Sequence, residues 1–244
     1  MATRLLSLVV PAFKQEKTIT KDVTNLDKIL SSLKIEHEII VVVDGFIDDT
    51  FKKAKKIKSE NIIVTGYKKN RGKGFAIKLG VKKANGDIIG FIDAGMDLDP
   101  HAISLMLDIM DWNEADIVIG SKLHPDSKIN YPISRKILSW GYRMLIRSLF
   151  DLNIRDTQVG LKLFKRKAAK DVFSKIIVKA FAYDVEVLAV AKLLGYEKIY
   201  EAPIKLRFKQ GGITSSNFWK IVFLMIWDTL SVFYRMNILN YYKK

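Results

Sequence analysis

Asp93 and Asp97 follow the apolar run at residues 88–92. Acids at the end of a buried-type strand can hold a hard divalent cation, magnesium or manganese. Such a cation neutralises a diphosphate and stabilises it as a leaving group. Two acids do not fill its shell, so phosphate oxygens and water would complete it. Asp97 and Asp99 also stand where they could cap the helix that Pro100 opens, and for Asp99 capping is the preferred reading. Asp93 directly follows Gly90-Phe91-Ile92, where a carboxylate without a partner would be costly, so it is read as functional. Asn70-Arg71-Gly72-Lys73-Gly74 puts two cations in a glycine-bearing turn before a helical pattern. Glycine lets backbone approach phosphate, and a helix N-terminus favours anions. The spacing is not that of a Walker loop. Asp156-Thr157-Gln158-Val159-Gly160 forms a polar loop before the apolar Leu161-Lys162-Leu163-Phe164. Tyr183-Asp184-Val185-Glu186 opens a helix, where an acid serves either the helix dipole or a site. His37, His101 and His124 lack metal-ligand spacing, and no Gly-x-Ser-x-Gly marks a hydrolase.

The elements that must position these groups alternate in the first half of the chain. Residues 5–10, 38–43, 61–65, 88–92 and 116–119 are short and rich in Val and Ile. Helical patterns lie between them at 18–33, 50–58, 74–84 and 100–112. Continuous apolar strands alternating with helices predict a parallel sheet covered on both faces. Ligands of such sheets bind at the carboxyl ends of the strands. Here those ends carry Pro11-Ala12-Phe13, Asp44-Gly45, the 67–74 turn, Asp93 to Asp97, and Gly120-Ser121-Lys122. The second half is less regular. Helices are expected at 133–150, 184–194 and 217–239, a loop running into a strand at 156–165, and extended chain at 199–208. Neither repeats nor low-complexity linkers are visible. The expected division is a catalytic domain over 1–212 and a C-terminal appendage over 213–244.

Lys and Arg exceed Asp and Glu by 41 to 26, a formal net charge of +15. Such an excess points to an anionic partner. The basic residues come without an aromatic base-stacking platform or a reading helix, so nucleic acid is not the expected one. With no cysteine, disulfides, thiolate zinc sites and Cys nucleophiles are excluded. No apolar stretch approaches the ~20 residues that span a bilayer. The aromatic 217–239 segment either buries a face in the domain or lies in a lipid interface. The net charge and the cationic 133–150 helix favour lipid.

Set together, these segments resemble glycosyltransferase family 2, and within it the synthases of polyprenyl-phosphate sugars. Leu8-Val9-Val10-Pro11-Ala12-Phe13 is similar to that family's opening strand and nucleotide turn, and Val42-Val43-Asp44-Gly45 to its second strand-end motif. Asn70 to Gly74, Asp156 to Phe164, and Ala182 to Leu188 resemble dolichyl-phosphate glucosyltransferases in particular. The resemblance implies an α/β GT-A fold, Rossmann-like, with a mainly parallel sheet flanked by helices and a C-terminal amphipathic helix at the membrane interface. It implies donor contacts by Pro11, Ala12, Phe13, Asp44, Arg71, Lys73 and Asp93. Lys122, Arg135 and Lys209 would face phosphate, with Arg135 at the acceptor. Asp156 and Gln158 would contact acceptor or sugar, and Asp184 would be an orienting group or base. The implied partners are a nucleotide sugar, a polyprenyl or dolichyl phosphate, and the cytoplasmic face of a membrane, held peripherally.

The sequence departs from the family's pattern in three places. Asp-Asp-Gly-Ser reads Val43-Asp44-Gly45-Phe46, and Asn-Glu reads Lys14-Gln15, with Glu16 the nearest acid. Asp-x-Asp reads Asp93-Ala94-Gly95, with Asp97 two residues on. Asp97 is expected to replace the lost acid as metal ligand. The expected reaction is inverting displacement from a sugar nucleotide, UDP-glucose or GDP-mannose, onto a lipid phosphate. A saccharide hydroxyl acceptor, a basic nucleic-acid-binding domain and an inactive relative are the competing readings.

Overall fold

The computed structural model describes residues 4–127, 133–178, 182–206 and 218–243, without the side chains of 133–139 and 218–221. Four strands of the first half are parallel: β1 (Leu6–Ala12), β2 (His37–Asp44), β3 (Ile62–Tyr67) and β4 (Ile88–Ile92). Their connections are α1 (Ile19–Ser32), α2 (Thr50–Lys55) and α3 (Lys73–Lys83). β1 is buried along its whole length, as a continuous Val/Leu run between two helical layers must be. Its side chains alternate: Val9 packs with α3, while Leu8 and Val10 pack with α1.

After β4 come α4 (Ala102–Trp112), β5 (Ile117–Ser121), α5 (Ile133–Phe150), β6 (Leu161–Lys165), α6 (Arg166–Lys175), α7 (Tyr183–Leu193), β7 (Ile199–Pro203) and α8 (Phe218–Asn237). The seven-stranded sheet has the order β3-β2-β1-β4-β6-β5-β7. It is the expected mainly parallel sheet with one exception. β6 enters antiparallel between β4 and β5, with Leu161 opposite Ile92. That register sets the start of β6 beside the end of β4, so the 156–160 loop arrives next to Asp93.

The sequence reading overlooked α6. Its buried Ala168, Ala169, Val172 and Phe173 lie at helical spacing, but the short Arg- and Lys-rich segment after the 156–165 loop and strand was assigned no element. The expected boundary at residue 212 falls outside the described residues. Beyond it α8 shares the core: Val232 and Met236 are buried in the cluster that holds Phe91, Phe164 and Tyr183. Tyr142 of α5 and Thr229 of α8 share a 2.8 Å hydroxyl hydrogen bond. The opposite face of α8 exposes Phe223, Trp227, Leu230 and Tyr234, so the helix buries one face in the domain and leaves an aromatic face open.

Candidate active site

At the carboxyl ends of β1, β2 and β4 lies an open cleft of about 330 Å³. Its walls include Pro11, Ala12 and Phe13 from β1, Asp44 from β2, Lys73 at the start of α3, and Asp93 and Asp97 after β4. Six of the seven expected donor residues thus line one space. Gln15 and Asn70 line it too, and the sequence reading had no role for either.

The two strand-end aspartates differ in what they hold. Asp44 is 3% exposed. It accepts hydrogen bonds from the Asn70 side-chain amide at 3.0 Å, the Arg71 N–H at 2.7 Å and the Gly72 N–H at 3.0 Å. The 70–72 turn is therefore folded around this carboxylate. Gly72 takes φ 91°, which only glycine adopts readily, and caps α3 so that Lys73 opens the helix facing the cleft. Direct contact of Asp44 with the donor was the expectation. Asp44 lines the cleft while both of its oxygens hold the turn.

Arg71 departs from the others. Its guanidinium stacks on Phe75 at 3.5 Å and lines a neighbouring cleft with Lys78 and residues 176–178. Only its backbone joins the donor side.

Asp93 keeps its carboxylate available, with the side chain 40% accessible. Lys73 Nζ stands 2.5 Å from Oδ1. Crowding by the protein raises the Asp93 pKa, and Lys73 opposes that rise incompletely. Burial disfavours the Lys73 ammonium, yet the charges of Asp93 and Asp184 together raise its pKa. Behind Asp93 lies Gly160, whose carbonyl accepts the Asp93 N–H at 3.0 Å. A Cβ at Gly160 would come 2.1 Å from Asp93 Oδ2. Glycine is needed there by close approach, and the sequence reading saw this residue only as the end of a polar motif.

Lys162 was missed altogether. It is fully buried and donates to the Val159 carbonyl at 2.6 Å and to Asp184 Oδ1. Burial pulls its ammonium pKa down, against the pull of Asp184. The signal was present: a lysine inside Leu161-Lys162-Leu163-Phe164, in a strand flanked on both sides. Asp184 is itself 5% exposed. Beside the pair, Lys73 Nζ lies 5.4 Å from the Tyr183 ring.

A third cluster stands at the end of β5. Asp156 accepts from the Lys122 N–H at 3.0 Å and the Gln158 N–H at 3.2 Å, with the Lys122 ammonium 3.8 Å away. The Asp156 N–H donates to Glu201 at 3.1 Å. Lys122, Asp156 and Gln158 are therefore brought together. Lys209 and the Arg135 side chain lie outside the described residues.

Among the described residues no three His, Asp or Glu side chains gather as a metal cage. The cleft offers two carboxylates, Asp93 and Asp97. Asp93 Oδ1 faces the Lys73 ammonium and no other donor. That donor set fits a hard cation that takes one or two carboxylates and completes its shell with substrate phosphates.

The profile of glycosyl transferase family 2 matches residues 7–173, which span β1 to α6 and both aspartates. The chain belongs to glycosyltransferase family 2. A dolichyl-phosphate beta-glucosyltransferase of Homo sapiens is 36% identical over 209 residues, covering 78% of this chain and 64% of the relative. One from Drosophila melanogaster is 32% identical over 234 residues, covering 88% of this chain and 70% of the relative. This family member thus spans under two thirds of the length of its human relative. Among solved structures, glucosyl-3-phosphoglycerate synthase of Mycobacterium tuberculosis, in complex with Mn2+, uridine diphosphate and phosphoglyceric acid, superposes with a TM-score of 0.72. It is 21% identical, and the match covers 95% of this chain and 79% of that one. Mannosyl-3-phosphoglycerate synthase of Rubrobacter xylanophilus gives a TM-score of 0.71 at 15% identity, over 96% and 75% of the two chains. The mainly parallel α/β architecture is shared with these synthases, as the GT-A expectation required.

Proposed function

We propose that the protein transfers one glucose from UDP-glucose to a polyprenyl phosphate such as dolichyl phosphate, with inversion, at the cytoplasmic surface of a membrane. The names of its relatives support the sugar and the lipid phosphate. One observation carries the choice of acceptor: Asp184 is buried and held by Lys162. A sugar hydroxyl needs a base to remove its proton as it attacks, whereas a phosphate monoester is already an anion near neutral pH. A site whose inner acid is neutralised by an ammonium suits the second and not the first.

The chain's own groups divide the work. Pro11, Ala12 and Phe13 form the wall for the nucleotide, and the turn built on Asp44 sets Lys73 beside the diphosphate. Lys73 offsets the negative charge that develops on the leaving group, and Asp93 orients Lys73 and the donor. Lys122, Arg135 and Lys209 are assigned to phosphate, with Asp156 and Gln158 toward the acceptor or sugar. Asp93 and Asp97 would hold a divalent cation, which when bound supplies Lewis-acid stabilisation to the leaving diphosphate.

No helix among the described residues is long and apolar enough to cross a membrane. On α8, Phe223, Trp227, Leu230 and Tyr234 share one exposed face, and α5 exposes Trp140 and Met144. Aromatic stripes of this kind sit at the headgroup boundary, where the acceptor's phosphate is presented.

The test is transfer from labelled UDP-glucose, with GDP-mannose in parallel, into organic-extractable dolichyl phosphate, with and without magnesium or manganese. Label from UDP-glucose in the lipid phase, dependent on the cation, is the expected result. Label on a free saccharide instead would move the acceptor to a hydroxyl, and label from GDP-mannose alone would change the donor.

A further inference from the structure

Lys162 is a costly residue in its place. It stands mid-sheet on β6 between β4 and β5, fully buried, 5.3 Å from the Phe91 ring. Its face of the strand is otherwise apolar, with Phe164 stacked near Phe91 at 6.3 Å. A buried ion pair is weak support for stability, since apolar residues of the same size often do as well or better. What distinguishes this pair is where its second bond goes.

The ammonium spans two elements. One bond reaches Asp184 in the first turn of α7, and the other reaches the Val159 carbonyl. The residue after Val159 is Gly160, which is pressed against the Asp93 carboxylate and accepts the Asp93 N–H. Lys162 itself does not line the donor cleft. Any effect it has on transfer must therefore pass through Val159-Gly160, through Asp184, or through the field of its charge at Asp93 and Lys73.

We propose that Lys162 is a positioning residue of the transfer site, which ties α7 to the 156–160 loop and so fixes Gly160 behind Asp93. The orientation of Asp93 relative to Lys73 is then set from inside the fold rather than by the exposed turn after β4. That turn carries Gly95 and Met96 at positive φ and an exposed Asp97, with the Met96 side chain buried in the core. The activity half of this proposal rests on the glucosyltransferase reading, while the structural half does not.

The experiment uses Lys162→Met together with Asp184→Asn, which removes both charges and keeps their volumes. Melting temperature, amide hydrogen exchange and UDP-glucose transfer are measured side by side. The expected result is a melting temperature within a few degrees of the parent. Exchange at the Asp93 amide and across 156–160 should be accelerated about tenfold or more, and kcat/KM should fall about tenfold or more, in the range of misplaced catalytic groups. Parental exchange and parental transfer in a stable double variant would overturn the proposal. If the double variant does not fold, Lys162→Arg decides. Exchange at Asp93 and transfer changing together support the role, and loosened exchange with parental transfer overturns it. Gly160→Ala, which drives a methyl against Asp93 without touching the pair, should lower kcat/KM to a similar extent, and parental transfer there also counts against the proposal. If the parent transfers no glucose, the transferase reading fails by itself, and exchange at Asp93 and 156–160 still decides whether Lys162 fixes the loop.

Discussion

The ends of β2 and β4 both carry an aspartate into one cleft, and the two differ in what they hold. Asp44 is 3% exposed at the cleft wall and gives its oxygens to three N–H donors of the 70–72 turn. Asp93 is accessible, with a lysine on one side and the back of a glycine on the other. Several amide donors tie a carboxylate into the backbone's scaffold. A single ammonium leaves it more of its acceptor capacity. The partners an acid has, more than its place on a strand, decide whether it shapes a site or works in it.

Asp93→Asn should give the largest effect. Removing its charge is expected to lower kcat/KM by roughly 10²–10³, the range for deleting one preorganised electrostatic group. The melting temperature should hold or rise, because the acid sits in surroundings that already raise its pKa. Kinetics and thermal melts on one preparation check both halves.

Asp44→Asn should reverse the pattern. An amide can accept through one oxygen only and sets its NH₂ against the turn's donors. Hydrogen bonds to a charged acceptor are worth about 1.5–3 kcal/mol each, and they are not additive. A net loss of about 2 kcal/mol would lower the melting temperature by roughly 4–8 °C in a chain of this size. UDP-glucose KM should rise more than kcat falls. A collapse of kcat at a parental melting temperature would instead place Asp44 in contact with the donor and break the comparison.

Asp97→Asn asks whether the missing second acid has been replaced. The magnesium or manganese concentration for half-maximal transfer should rise about tenfold or more, by analogy with weakened metal sites, with saturating-metal activity less affected. An unchanged metal requirement would leave Asp93 to act without Asp97.

The smallest effect is a pH dependence on α7. Two residues from Asp184, Glu186 is also buried, but it accepts from the Tyr242 hydroxyl and from the amides of Ile177 and Val178 at 3.2 and 2.8 Å. Burial raises its pKa above 4.5, and these donors oppose the rise without cancelling it. A raised folded pKa means that folding favours the protonated acid. Its contribution to stability is complete below the unfolded value and is lost as pH climbs through the folded one. Glu186→Gln should remove that slope, so the parent's melting temperature should fall relative to the variant's as pH rises from about 4.5 toward 7.

Much of the donor side was legible in the sequence because it is local. Strands of Val and Ile, followed at once by Asp44, by Asn70 to Gly74 and by Asp93, put chemistry at strand ends whatever the sheet order. The helices that follow announce themselves by period. What could not be read was the work of β6. Its antiparallel entry beside β4 depends on which strands pair, and nothing in Asp156 to Lys165 says that Gly160 will face Asp93. The short cationic α6 was lost for a related reason: its apolar positions are few, and only the sheet beneath them shows that they form a face.

Lys162 marks the division most clearly. By itself the sequence determined the family's motifs, the strand–helix alternation, the acids at strand ends and an amphipathic final helix, because each follows from neighbours within a few residues. Tertiary structure alone decided that Asp44 is held by the 70–72 turn and the Asp93 side chain is part-accessible, that a lysine lies buried mid-sheet beside Phe91, and that Tyr242 is core. The physical reason is that partner and burial are properties of space. A carboxylate's role depends on the donors that reach it, and the donors to Asp44 and Asp184 and the Tyr242 hydroxyl at Glu186 come from 22 to 56 residues away along the chain.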